Sequence, residues 1–402
     1  MKMGRYEELF AGLHKELIPY YRYWCHDCPM AVSSRRDQEL HRMQDVLYRC
    51  AWYYVHHYRE FLDVIPYEER VLEILEYSEE NPFRAGTFRP DYLICEDGSL
   101  KICEITSRFF GNGYFLSYFM ERAGADFARE AHITDYRSYF EDFLEYAANM
   151  LEGKKKVCVL KSADKSDSIR LYVPFYQALG AKVTVLEAEE IEENLGCLAN
   201  SLVVSALNQT DILKLSKEAI RRMIAEQFRN DFRTVFLLHD KRFFWLFAMD
   251  RFTDRCLSKR DTEFLRSHIV ETFLPGCDPA IFQDARIHKD RYILKHARLG
   301  KSEKVYAGCL CEQSQWEELF APDVLRDMIL QPFMKQKRYP TVWNGERLED
   351  YVAGTILCVD DRYFGTGLFR TSTRPVINQT DAHKVAQVIT DQKWKFRDCH
   401  VL

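Results

Sequence analysis

Two acidic residues on a predicted β-hairpin are the first candidates for chemistry in this sequence. The stretch RPDYLICEDGSLKICEITSRF, residues 89–109, has two runs of strand-forming residues joined by Asp97-Gly98, a strong two-residue turn signal. A two-residue loop there places Asp91 directly opposite Glu104. Because like charges across a ladder are destabilising, the pair predicts that a cation lies between the two carboxylates.

The same register places Arg89 opposite Thr106, on the face that carries the two acids. A hard divalent ion such as Mg²⁺ fits there, because it takes one or two carboxylates and completes its shell with water and substrate phosphates. A second interpretation stays open, in which the face is a solvated strand end and Arg89 bridges the acids. A three-residue loop would also break this pairing, since it reverses the parity of the strand.

The composition indicates an ordinary globular protein. With 47% hydrophobic and 29% charged residues, the composition is typical of such a protein. The length of 402 residues exceeds the size of a usual single core and predicts two or three structural units. A net charge of −5 excludes a global footprint for nucleic acid or an anionic membrane, so any phosphate site must be local. The N-terminus is charged throughout, and no apolar run reaches the roughly 20 residues of a membrane helix, so we expect neither a secretory leader nor a membrane span. Thirteen cysteines are then best interpreted as reduced thiols, which favours a cytoplasmic location.

The tetrapeptide Cys25-His26-Asp27-Cys28 could be half of a zinc site or a redox pair. A second half with the paired spacing of a zinc ribbon or finger is missing from the residues that follow. We therefore expect these cysteines to be structural or incidental rather than metal ligands.

The elements that must position the hairpin acids divide the chain into three predicted units. Residues 1–153 form a helical N-terminal region, with helical spacing over 5–80, followed by the hairpin. Residues 154–239 alternate strands and helices, which predicts a small Rossmann-like parallel sheet. Residues 240–402 combine helices with antiparallel strands, an α+β pattern. The predicted fold class is therefore α+β with an α/β insertion.

The expected strands of the second and third units follow from their apolar runs. Those of the parallel sheet are KVCVLK, KVTVLEAEEI, SLVVSAL and TVFLLH. Those of the last unit are RYILKHA, KVYAGCL, MILQPFM, VAGTILCVD and RYFGTGLFRTS, the last two turning at Asp360-Asp361. The first strand-to-helix loop, residues 161–166, lacks a glycine fingerprint, which argues against a bound dinucleotide.

Several spaced motifs together resemble the circularly permuted ATP-grasp ligases, of which glutathionylspermidine synthase is the familiar member. The motifs are Arg89-Pro90-Asp91, Glu104-Ile105-Thr106, Asp240-Lys241, Ile293-Leu294-Lys295-His296, Arg298-Leu299-Gly300-Lys301-Ser302, Leu330-Gln331-Pro332-Phe333-Met334 and the segment from Gly365 to Ser372 that contains Arg370. Each motif is short, and their order and spacing carry the resemblance. The resemblance implies an ATP-grasp fold in permuted order, with the Rossmann-like unit as an inserted pre-ATP-grasp domain.

The activity implied by the resemblance is ATP-dependent joining of a carboxylate to an amine through an acyl phosphate. Such chemistry needs positioning and charge neutralisation more than covalent help from the protein. The acyl donor would be an amino acid or short peptide, with no nucleic acid or membrane as partner, and ATP and Mg²⁺ would be the cofactors. The implied metal ligands are Asp91, Glu104 and Thr106; the implied ATP contacts are Lys241, Lys295, Arg298, Lys301, Gln331 and Phe333; and the implied catalytic cations are Arg89 and Arg370.

Two residues depart from the family pattern. Thr106 stands where the family usually has Asn, which replaces a carbonyl ligand by a weaker hydroxyl oxygen, and His296 replaces the usual Pro. The first change puts a second metal in doubt. It also keeps open an alternative function, a module of the same fold that binds ATP or substrate without turnover.

Overall fold

The structure is a computed structural model that describes residues 25–111, 113–163, 167–300, 302–377 and 382–392. Within these residues the chain combines helices with several separate sheets, so the expected mixed α+β class is confirmed. No helix of the described part is both long and apolar enough to cross a membrane. The predicted three-unit division stays a prediction.

Helices and strands alternate along the described chain. The strands are β1 (Met30–Val32), β2 (Arg89–Ile94), β3 (Leu100–Thr106), β4 (Lys156–Lys161), β5 (Lys182–Glu187), β6 (Leu202–Ala206), β7 (Tyr292–His296), β8 (Val305–Ala307), β9 (Met328–Pro332), β10 (Arg338–Trp343), β11 (Glu346–Val359), β12 (Arg362–Thr366), β13 (Phe369–Ser372), β14 (His383–Val385) and β15 (Gln387–Ile389). The α-helices are α1 (Ser34–His57), α2 (Glu69–Ser78), α3 (Tyr114–Glu130), α4 (Phe140–Asn149), α5 (Asp167–Ala178), α6 (Gln209–Lys214), α7 (Lys217–Ala225), α8 (Asp250–Cys256), α9 (Lys259–His268), α10 (Pro279–Ile287), α11 (Gln313–Glu318) and α12 (Pro322–Leu325).

Strand β11 is the central strand of the largest sheet and pairs with four others. It has 14 residues, and its successive parts pair antiparallel with β10, β13, β2 and β12. The main path of this seven-stranded sheet runs β14-β13-β11-β2-β3, so the hairpin forms one end of it. Antiparallel pairing throughout lets one strand carry polar side chains on one face and buried residues on the other.

The hairpin has the predicted pairs but not the predicted turn. Arg89 lies opposite Thr106 and Asp91 opposite Glu104, as expected. Cys95 donates to the carbonyl of Ser99, however, which leaves a three-residue loop instead of two residues. The ladder then shifts by one residue beside Asp91, a β-bulge that restores the predicted register at the far end.

The parallel sheet contains one strand fewer than predicted. Strands β5, β4 and β6 pair in parallel, which confirms the first three apolar runs. The fourth run, TVFLLH, is instead a π-helix at Thr234–Leu238, and all five of its residues are buried. A short, continuously apolar run is consistent with a buried helix as well as a buried strand, and sequence periodicity cannot separate them.

A third sheet, β8-β7-β9, is antiparallel and contains the predicted strands RYILKHA, KVYAGCL and MILQPFM. Strands β11 and β12 turn at Asp360-Asp361 as predicted, with Asp360 in a left-handed conformation at φ +52°. The run RYFGTGLFRTS is two strands rather than one. Its second half, β13, leaves the end of β11 and pairs with the middle of β11, which moves Arg370 beside the hairpin.

A single buried asparagine fixes the two open ends of the hairpin. Asn230 is fully buried, and its Oδ1 accepts from the Thr87 amide at 2.8 Å. Its Nδ2 donates to the carbonyls of Thr87 at 2.7 Å and Ser107 at 2.9 Å. The residue adopts φ +56°, a left-handed conformation that asparagine tolerates better than most residues. Asn230 therefore bridges the segment before β2 and the segment after β3.

We expect Asn230→Ala to lower the free energy of unfolding by about 3 kcal/mol or more, because three buried backbone groups lose their partner. Urea denaturation monitored by circular dichroism measures this loss. Asn200→Ala is the matched control, since Asn200 also has φ +56° but is exposed. Equal losses in the two variants would mean that the backbone conformation matters and the three hydrogen bonds do not.

A buried carboxyl on α3 gives the fold a pH dependence. Burial raises the pKa of Glu121 from 4.5 to about 7, and Ser138 donates a hydrogen bond to its carboxyl group. The folded state therefore holds the proton more tightly than the unfolded state. Between about pH 4.5 and pH 7 the contribution of Glu121 to the free energy of unfolding should fall as pH rises, and above pH 7 it should stay level.

Glu121→Gln is expected to remove this slope and to raise the free energy of unfolding at pH 8 by up to about 3 kcal/mol relative to the parent protein. Denaturant titrations at pH 5 and pH 8 measure the change. Glu145→Gln, an exposed position on α4, serves as control. If the free energy of unfolding of Glu121→Gln depends on pH as it does in the parent protein, the slope comes from another group.

Candidate functional site

A cavity of about 250 Å³ lies between the hairpin, the β8-β7-β9 sheet and strands β11 and β13. Eight of the predicted site residues line it: Arg89, Asp91, Glu104, Thr106, Lys295, Gln331, Phe333 and Arg370. Segments distant in the sequence therefore meet at one place, because β11 holds the hairpin on one side and β13 on the other.

Asp91 lies between two guanidinium groups. Arg89 Nε donates to Asp91 Oδ1 at 3.1 Å, and an Arg370 Nη donates to Oδ2 at 2.8 Å. Only 4% of the Asp91 side chain is exposed. Burial by itself would lower the pKa of Arg370, but the neighbouring carboxylates of Asp91 and Glu104 outweigh burial and raise it. Asp91 is thus a charge partner that fixes both arginines at the cavity wall.

Glu104 is paired with a buried lysine. Lys241 Nζ lies 3.5 Å from Glu104 Oε2 and donates to the carbonyl of Leu299 at 2.5 Å. Burial by itself would raise the pKa of Glu104, yet Lys241 and Lys295 outweigh burial and hold it below 4.5. Burial lowers the pKa of Lys241. Lys241 does not line the cavity. It pairs with the carboxylate of Glu104 and donates a hydrogen bond to the backbone of Leu299, in the loop that follows β7.

Lys295, on β7, lines the cavity. The residue is 8% exposed, and none of the described carboxylates lies within ion-pair distance of its Nζ. Its strand pairs with β9, where Lys295 lies opposite Ile329. A buried ammonium group without a carboxylate partner is costly, so an anionic ligand in the cavity would stabilise it.

The residues predicted to meet adenine have protein partners. Gln331 Nε2 donates to Thr272 Oγ1 at 2.9 Å and to the carbonyl of Cys103 at 3.3 Å. The Phe333 amide donates to the carbonyl of Arg291 at 2.7 Å. Gln331 therefore holds the bulged residue next to Glu104. It remains on the cavity wall, but its two N–H donors are already used.

The basic loop after Lys295 is only partly at the cavity. Arg298 is turned away, with its guanidinium 3.2 Å from Glu68 and 3.4 Å from Asp327, and it does not line the cavity. We therefore leave Arg298 out of the proposed site. Lys301 lies outside the described residues. Leu299, Gly300 and Ser302 border the cavity.

Two further cations line the cavity. Arg108 lies two residues after the end of β3 and lines the cavity. Lys384 lies on β14 directly opposite Arg370. Sequence reasoning missed Lys384, because β14 has three residues and gives no periodic signal.

Magnesium fits the Glu104 side of the cavity better than the Asp91 side. The Glu104 side chain is 26% exposed, and Thr106 adds a hydroxyl oxygen on the same cavity wall. Both oxygens of Asp91 already accept from guanidinium groups. Because Mg²⁺ needs only one or two carboxylates when phosphates complete its shell, Glu104 and Thr106 could hold one ion. A metal bond to Asp91 would first have to replace an arginine.

Comparison with known proteins supports the fold. Residues 44–237 match the sequence model of a family described as the AnkG N-terminal domain. No curated protein sequence matches the chain. Among solved structures, the chain is similar to a glutathione synthetase-like effector, GSS30, from Globodera pallida in its apo form. The TM-score is 0.53 at 14% identity, over 91% of this chain and 90% of that chain. At this identity the likeness shows the fold alone, which is a mixed α+β fold similar to that of the effector.

Proposed function

We propose that this protein is an ATP-dependent ligase that joins a carboxylate to an amine through an acyl phosphate, with release of ADP. The observation that carries the proposal is one cavity whose wall carries two carboxylates, Asp91 and Glu104, and three of the predicted basic groups, Lys295, Arg89 and Arg370. A fourth, Lys241, pairs with Glu104 from outside the cavity. The excess of positive charge suits a polyphosphate. The glutathione synthetase-like description of the structural neighbour supports the same class of reaction.

Each group has a task in this reaction. Lys295 would neutralise ATP phosphates, and the two arginines would face the transferred phosphoryl group or the substrate carboxylate, which guanidinium matches in bidentate geometry. Magnesium, when bound at Glu104 and Thr106, would neutralise further phosphate charge. Leu299, Gly300 and Ser302 border the cavity and would limit access of water, which protects an acyl phosphate from hydrolysis.

The chemistry is balanced without a further reactant. A carboxylate oxygen of the donor attacks the γ-phosphorus of ATP, and ADP leaves. The amine nitrogen then attacks the acyl carbon, the amide bond forms, and phosphate leaves with the loss of a proton from the amine. The donor would be an amino acid or short peptide.

The test is incubation of the protein with ATP, Mg²⁺ and a metabolite extract, followed by mass spectrometry for condensed products and measurement of ADP. We expect ADP and a new amide in equal amounts. ADP without any condensed product would indicate an ATPase or a kinase. If neither ADP nor a condensed product forms, the ligase proposal is unsupported.

An alternative function is a non-catalytic module that binds ATP or substrate. It is favoured by Thr106, which replaces a stronger metal ligand, and by Asp91, whose two oxygens already have arginine partners. Calorimetry distinguishes the two functions. Nucleotide binding together with no ADP from any acceptor in the extract would favour the module.

A further inference from the structure

A second cluster of metal-type ligands lies outside the cavity. His26, Asp350 and His383 bring one ligand atom each to within 4.8 Å of one another. His26 Nε2 lies 3.3 Å from Asp350 Oδ2. We propose that these three residues bind a zinc ion, with the fourth position left to water or to a neighbouring hydroxyl. The proposal does not depend on the proposed function.

The histidine has the orientation of a metal ligand. The Nδ1 of His26 is 3.0 Å from the carbonyl of Val342, so Nδ1 carries the proton and donates it to that oxygen. Nε2 is then the unprotonated nitrogen, and it faces Asp350 and the hydroxyl of Thr371 at 2.7 Å. Metal-binding histidines commonly donate their second nitrogen to a backbone carbonyl, which fixes the ring.

The carboxylate supplies the second, independent observation. Asp350 is fully buried, and its Oδ1 has no hydrogen-bond partner among the described residues, although Thr341 donates to Oδ2 at 2.9 Å. A buried carboxylate oxygen without a partner is costly. A cation bound between Asp350 and the imidazoles would give that oxygen its missing contact.

The third ligand is held by stacking. The ring of His383 lies 4.2 Å from that of Trp343 at an interplanar angle of 20°, and its edge meets His26 at 5.4 Å. Two imidazoles and one carboxylate form a donor set that zinc accepts, and such sets usually leave one coordination position open.

The cluster also answers a question raised by the sequence. The tetrapeptide at residues 25–28 lacked a second half nearby, and the structure supplies that half from Asp350 and His383. Cys25 is not part of it: its thiol contacts Met120 Sδ at 3.4 Å. The proposed ligands are therefore one residue of the motif and two from the last strands.

The cluster is separate from the cavity even though both use β13 and β14. Arg370 pairs with Lys384 and both line the cavity, whereas the next pair, Thr371 and His383, points to the opposite face of the sheet. Zinc bound there would link the segment before β1 to β11 and β14, the two strands that pair with the strand carrying Arg370.

The test uses the full-length protein, saturated with Zn²⁺ and then freed of loosely bound metal by gel filtration. We expect one zinc per chain by elemental analysis, and a rise in melting temperature with zinc. His383→Gln is expected to weaken zinc binding at least about 10-fold and to lose the thermal shift. His268→Gln is the matched control, because His268 is also paired with a carboxylate, Glu39, at 2.9 Å.

A spectroscopic measurement on the unmodified protein keeps the test independent of the variants' folding. Cobalt substituted for zinc should give the visible absorption of a tetrahedral site without the thiolate-to-metal band that cysteine ligands produce. The proposal is overturned if the protein binds no zinc, if His383→Gln binds as well as the control, or if the cobalt spectrum shows thiolate ligands.

Discussion

Glu104→Gln is expected to lower the ATP-dependent ligase rate by about 100-fold or more while the protein stays folded. Glu104 carries the carboxylate that fits magnesium, and it also balances the charge of Lys241 at 3.5 Å. Glutamine keeps the shape and a carbonyl oxygen but removes the negative charge. Without that charge, the ion that neutralises the phosphates binds weakly. ADP release in a coupled assay measures the rate, and circular dichroism checks the fold.

The matched control for this variant lies on the same hairpin. Glu96 is exposed in the turn and does not line the cavity, so Glu96→Gln should keep the parent rate. Raising the magnesium concentration should recover part of the activity of Glu104→Gln but leave Glu96→Gln unchanged. Wild-type turnover in Glu104→Gln would show that the metal assignment is wrong.

Lys295→Met should mainly weaken nucleotide binding, by about 10- to 100-fold, which corresponds to the loss of one charge-assisted hydrogen bond. Lys295 is buried at the cavity wall, and methionine matches its length without its charge. No described carboxylate lies within ion-pair distance of Lys295, but its charge helps to lower the pKa of Glu104, so circular dichroism must show that the variant is folded. Calorimetric titration with a non-hydrolysable ATP analogue and Mg²⁺ measures the affinity.

Lys335→Met controls for a general loss of positive charge, because Lys335 is exposed three residues after the end of β9 and does not line the cavity. Equal affinities for the parent, Lys295→Met and Lys335→Met would remove Lys295 from the proposed nucleotide site. A large loss of affinity in Lys335→Met would instead point to long-range electrostatics.

The predicted hairpin pairs are correct, although the predicted turn was one residue too short and the bulge was not predicted, because these two errors cancel. The turn has three residues, which by itself would have moved Glu104 to the wrong face, and the bulge beside Asp91 moves it back. Apolar runs predicted β7, β9 and β11, because each of these strands contains consecutive buried apolar residues. The same rule explains why β14 and its Lys384 were missed.

Other features could not be predicted because they depend on contacts between distant segments. Asn230 has no local pattern that shows it would bridge the two ends of the hairpin. The arginine partners of Asp91 and the outward turn of Arg298 toward Glu68 depend on tertiary packing. The residue types at the cavity were foreseeable from motifs, whereas the choice of ion-pair partners was not.

The bulge in β3 has a consequence for how this hairpin can vary in length. A deletion in the three-residue turn would shorten the loop and leave the pairs of the ladder in place. Loss of the extra residue at the bulge would make the ladder regular and keep Asp91 opposite Glu104. A slip of the two strands by one residue would instead exchange their faces and point Glu104 out of the cavity. Homologous hairpins should therefore vary in length at the turn or at the bulge, and keep the pairing of the two acids.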